Sequence, residues 1–191
     1  MKDKKESGLD VFQNVFNQRD IFEPIIKWGE YKMTEEFNKS STIEDGYYSD
    51  CEKAKLELVQ PLAIRKLYKK GSFAYVYILN GVELIYAGQC SSTSRISTPS
   101  SVGGFVKGTR VSKISSDTHG KTNIKLFYEV NELIHRGDKL EVYIVKAKDH
   151  VKKGRWTVKI CEKQMEKEIL TSYKELYGRT PKLNNRNKDY K

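Results

Sequence analysis

The chain is poor in the residues that build covalent or metal-clamped frameworks. Its three cysteines, Cys51, Cys90 and Cys161, are odd in number and far apart, which suits neither a disulfide framework nor a CxxC metal pattern. His119, His135 and His150 are equally scattered, and no pair has the spacing that places two zinc ligands on one helix face. No apolar run approaches the roughly 20 residues of a membrane-spanning helix, and MKDKKESGLD lacks the apolar centre of a signal peptide. The expectation is a soluble, cytoplasmic protein with no membrane partner. No internal repeat is present. Gly120-Lys121-Thr122 has the end of a phosphate-binding loop, but Ser115 stands where its first glycine belongs, so no nucleotide cofactor is expected.

What is there begins with charge. Lys and Arg number 35 against 25 Asp and Glu, a net charge of +10. Residues 1–70 are balanced at 13 of each sign, whereas residues 71–191 hold 22 basic against 12 acidic side chains. A basic excess confined to one part of the chain suits a polyanion, because each neutralised phosphate releases condensed counterions. The alternative is a basic surface that merely keeps the protein soluble.

At 191 residues and 38% hydrophobic the chain can bury one core. Residues 1–70 read as short helices, with VFQNVFNQ near the start, a segment opened at Ser49-Asp50, and PLAIRKLYKK from Pro61. The texture then changes to FAYVYIL, Asn80-Gly81 and VELIYAG, two β-rich runs joined by a hairpin signal. Residues 97–122 form a basic loop carrying Lys107, Arg110, Lys113, His119 and Lys121, candidate contacts to such a polyanion. A helix follows from Asn123 to His135 with Gly137 as its stop, then a strand at LEVYIVKA, then a helix from about Cys161 to Tyr177 ended by Gly178. The expected fold is α+β: a small, mainly antiparallel three-stranded sheet flanked by helices, with a helical N-terminal extension over 1–70, a core over 71–185 and a basic tail over 186–191.

Two features carry chemistry. If Asn80-Gly81 is a two-residue turn, directly paired positions sum to 161, which sets Tyr75 opposite Tyr86 on one face. Tyr77 shares that face, should pair with Leu84 and reads as packing; an aromatic pair that packs a core is the competing account of Tyr75 and Tyr86 as well. In the last helix, Glu166 shares a stripe with Ile169, Leu170, Tyr173 and Tyr177. A carboxylate there is costly unless it is hydrogen-bonded, paired or bound to a metal, or unless it leans out to solvent.

In that order these residues resemble the GIY-YIG nuclease family. Phe73-Ala74-Tyr75 stands for the first triplet and Tyr86-Ala87-Gly88 for the second; Arg95 follows nine residues after Tyr86, EKEILTSY is similar to the family's glutamate helix, and Pro181 with Asn184 to the ending after it. The resemblance covers residues 73–184 and is nearest to the family's compact type II restriction endonucleases. It implies Mg²⁺- or Mn²⁺-assisted hydrolysis of double-stranded DNA by a homodimer. Glu166 would hold the metal, Tyr75 would act as general base beside Tyr86, Arg95 would bind phosphate, and Gln89 and Asn184 would be secondary site members. Gln89 departs from the family: relatives often carry Lys or His there, and the missing cation falls to Lys107, Lys113 or His119. A repair or homing nuclease, and a binding module that cuts nothing, remain alternatives.

Overall fold

In the computed structural model of the chain, residues 6–17, 19–33, 43–44, 47–48, 56–59, 70–93, 96, 129–130, 132–134, 136–148, 151–153 and 156–184 are described. The hairpin forms where it is expected. Strands β5 (Phe73–Leu79) and β6 (Glu83–Cys90) pair antiparallel across a turn in which Asn80 and Gly81 take φ of 52° and 73°. The Val82 amide closes that turn on the Leu79 carbonyl at 3.0 Å. The Asn80 side chain donates to Asp138 and accepts from the Lys139 amide, both at 2.8 Å, and so ties the turn to the start of β7 (Leu140–Lys146).

The expected fold class holds, with a larger sheet. The five-stranded antiparallel sheet has the order β4-β1-β7-β5-β6, and its two additional strands are β1 (Ile26–Met33) and β4 (Leu56–Val59). Residues 1–70 are therefore only partly helical. Helix α1 (Gly8–Phe16) matches VFQNVFNQ and opens with a Ser7–Asp10 capping box. β1 escapes a reading by alternation because its register with β7 slips between Lys27 and Gly29, so that Trp28 and Tyr31, three apart, enter the same core. The expected helix from Pro61 lies outside the described residues. Two short hairpins, β2 (Ile43–Glu44) with β3 (Tyr47–Tyr48) and β8 (Val151–Lys153) with β9 (Trp156–Val158), were not anticipated.

β5 is an interior strand between β7 and β6, and its run of apolar residues is buried on both faces. On one face Phe73, Tyr75 and Tyr77 pack with Trp28, Tyr31 and Ile85 beneath Ile96, Val130, Leu133 and Leu183. On the other, Ala74, Val76 and Ile78 lie under α1 and the last helix, α2 (Glu162–Tyr177), through Phe12, Phe16, Met165, Ile169 and Tyr173. Helical residues 132–134 stop where Gly137 takes φ of 87°, and α2 stops where Gly178 takes φ of 71°.

Candidate active site at the outer edge of the sheet

β6 is an edge strand, and its pairing with β5 decides how the phenols meet. The turn places Glu83, rather than Val82, opposite Leu79, and a bulge then leaves Ile85 without a partner in register, so Tyr86 pairs with Tyr77 and Tyr75 faces Gly88. Direct pairing of Tyr75 with Tyr86 is thus corrected to a diagonal relation on the same face. The two rings are still neighbours, with centroids 6.0 Å apart. Tyr77 completes a triangle with them, fully buried, its ring centroid 5.8 Å from that of Tyr75 and 5.2 Å from that of Tyr86, which fits its reading as packing.

Gly88 makes this approach possible. A Cβ there would lie 2.5 Å from Cζ of Tyr75 and 2.6 Å from its hydroxyl oxygen, so the Tyr75 ring occupies the space a side chain would need. Beside it, Asn184 clamps the outer edge of β6: its Nδ2 donates to the Ala87 carbonyl at 2.6 Å and its Oδ1 accepts from the Ala87 amide at 2.7 Å. Asn184 therefore occupies the backbone groups that a further strand would use. Asn184 ends a 3₁₀ turn (Lys182–Asn184) whose Leu183 enters the phenol-side core, whereas α2 packs on the other face. The chain thus crosses from one face of the sheet to the other at Ala87.

The remaining candidates are divided between faces. Gln89 pairs with Ala74, so it stands on the α2 side, away from the phenols. Glu166 is half-buried on α2, next to buried Met165. Gln164 and Glu168 line the groove between α2 and α1, where Glu168 is bridged to Arg19. Two residues along a helix turn it by about 160° in the shorter sense, so Glu166 stands on the opposite side of α2 from that groove. The sheet brings Tyr75 and Tyr86 together on one face and carries Glu166 on the helix covering the other. Arg95, Lys107, Arg110, Lys113, His119 and Lys121 lie outside the described residues.

Electrostatics of the phenols follow from their burial. Tyr75 is 4% exposed, and burial pushes its hydroxyl well above the ordinary tyrosine range; Tyr86, Cys90 and Tyr31 push it the same way. Tyr77 is raised for the same first reason. Both are neutral phenols in these surroundings, and Tyr86, half-buried, is more open to solvent than either. Sequence reasoning missed Tyr31, whose hydroxyl lies 3.3 Å from that of Tyr77. Only recognition of β1 as a bulged strand could have found it. Among the described residues no group of three or more His, Cys, Asp or Glu could hold a metal ion.

The class defined by these elements is a mixed α/β protein, an antiparallel sheet between helical layers. No protein-family model matches the chain, and no curated protein matches it. Among solved structures it is similar to the restriction endonuclease HPY188I in complex with product DNA, at 14% sequence identity and a TM-score of 0.35, with 95% of this chain and 94% of that chain covered. At that TM-score the likeness decides neither fold nor activity.

Proposed function

We propose that the protein is an endonuclease of double-stranded DNA, of the compact GIY-YIG restriction type, working with Mg²⁺ or Mn²⁺ as a homodimer. The observation that carries this reading is the pair Tyr75 and Tyr86, neighbours on one face at the sheet edge with ring centroids 6.0 Å apart. Their position in the FAYVYILNGVELIYAG hairpin, followed by the carboxylate helix and Asn184, supports it. The basic excess after residue 70 supplies the attraction to a polyanion.

Glu166 would reach the scissile phosphate around the edge of β6. A single carboxylate suits a hard divalent ion that keeps water and phosphate oxygens as its other ligands. That ion would stabilise charge on the phosphate and the leaving oxygen. Tyr75 would accept the proton of the attacking water, with the less buried Tyr86 beside it to position water or phosphate. Burial opposes the phenolate this requires, so a cation must approach when DNA binds; Arg95, Lys107, Lys113 and His119 are the candidates. Arg95 would also bind phosphate oxygens as negative charge builds. The burial of Tyr75 is also what favours the second reading, a DNA-binding module that cuts nothing.

Digestion separates the two. The purified chain with Mg²⁺ should cut plasmid DNA into discrete bands. Glu166→Gln should lower cutting by about a hundredfold or more, the usual scale for a lost charge-stabilising group, while gel-shift binding persists. Intact DNA with every divalent ion tried would transfer the protein to the second reading. Wild-type rates in Glu166→Gln would remove Glu166 from the site.

A further inference from the structure

We propose that Tyr31, on β1, is a positioning residue of this site, through which the N-terminal strand holds the phenol cluster and the segment after β6 in a fixed relation; the inference rests on the nuclease reading above. Tyr31 is 2% exposed and meets Tyr77 edge to face, ring centroids 5.6 Å apart. Its hydroxyl donates to the Ile96 carbonyl at 3.4 Å and lies 3.3 Å from the Tyr77 hydroxyl. A phenol has one proton, so with Tyr31 donating to Ile96 the Tyr77 hydroxyl must donate to Tyr31. Tyr31 is thereby the junction of three segments distant in sequence: β1, β5 and the turn in which the Ile96 amide donates to the Thr93 carbonyl at 3.0 Å. Tyr77 in turn packs on both Tyr75 and Tyr86, so a shift at Tyr31 is passed to the reacting phenols. Ile96 directly follows Arg95 in the chain, so the same hydroxyl anchors the backbone beside the proposed phosphate-binding residue.

Both bonds are long for a phenol, which sets the scale of the effect as modest. Tyr31→Phe keeps the ring and removes only the junction. It should lower kcat by about three- to tenfold, the range of one or two ordinary hydrogen bonds, with KM for DNA little changed. Tyr77→Phe breaks one of the two links and should cost less, and the double variant should be no slower than Tyr31→Phe. The Ile96 amide should exchange with solvent faster in Tyr31→Phe than in the wild type or Tyr77→Phe, a readout independent of any DNA cleavage. A merely structural role would lower the unfolding temperature while leaving kcat and the Tyr77 coupling unmoved. Wild-type kcat in Tyr31→Phe, additive effects of the two variants, or unchanged Ile96 exchange would overturn the proposal and leave the nuclease reading standing. If instead the wild type cuts no DNA, the nuclease reading fails, and Ile96 exchange still reports whether the junction exists.

Discussion

At the scale of single residues, the site depends on an absent side chain. Gly88 sits opposite Tyr75 in the ladder, and the Tyr75 ring lies where its Cβ would be. Gly88 is required for space, since the positive-φ glycines are others. Gly88→Ala would bring the new methyl within 2.5 Å of Tyr75 Cζ and 2.9 Å of Tyr86 Cε1, so both rings must move. Overpacking of this kind costs about 1–3 kcal/mol. The expected outcome is a urea midpoint lowered accordingly and a loss of cleavage larger than the loss of stability explains. A variant as stable and as active as the wild type would mean that neither phenol needs its present position.

At the scale of elements, the Asn184 clamp decides how the end of the chain meets β6. Two side-chain bonds to one residue's backbone hold the 3₁₀ turn against the edge strand and bring Leu183 into the phenol-side core. Asn184→Ala removes both and exposes the Ala87 amide. Hydrogen exchange at Ala87 should accelerate by about tenfold or more, with a stability loss of about 1–3 kcal/mol, while amides inside α2 stay protected. Unchanged exchange would show that the clamp does not hold the edge. This contact was legible only as a named position: Asn184 was marked from its place after the glutamate helix, but nothing in its neighbours says which backbone it grips. The β5–β6 hairpin, β7 and α2 were legible because Asn80-Gly81, Gly137 and Gly178 fix their ends locally. The bulge at Ile85 and the slip at Trp28 were not, because each depends on a partner strand that sequence periodicity cannot see. The extra turn residue and the bulge together set Tyr86 two ladder positions from the partner that a two-residue turn predicts, and the slip in β1 hides Tyr31 from any alternating pattern.

At the scale of the whole molecule, the balance of charge frames the proposed encounter with DNA. The chain carries +10, and its excess lies after residue 70, where Arg95, Lys107, Arg110, Lys113 and Lys121 are the proposed phosphate contacts. Each neutralised phosphate contributes a slope of about −0.9 to the dependence of log affinity on log salt. Five such contacts predict a slope of about −4 to −5 for one protomer, and about twice that if two protomers clasp one symmetric site. Binding isotherms between low and physiological salt, with Ca²⁺ in place of Mg²⁺ to hold off cleavage, therefore test the contacts and the assembly together. Replacing Lys107, Arg110, Lys113 and Lys121 by Gln should flatten the slope by about 3 to 4 per protomer. An unaltered slope would take DNA contact away from residues 97–122. A wild-type slope near −4, with one protomer per duplex by sedimentation, would instead keep the contacts and discard the dimer.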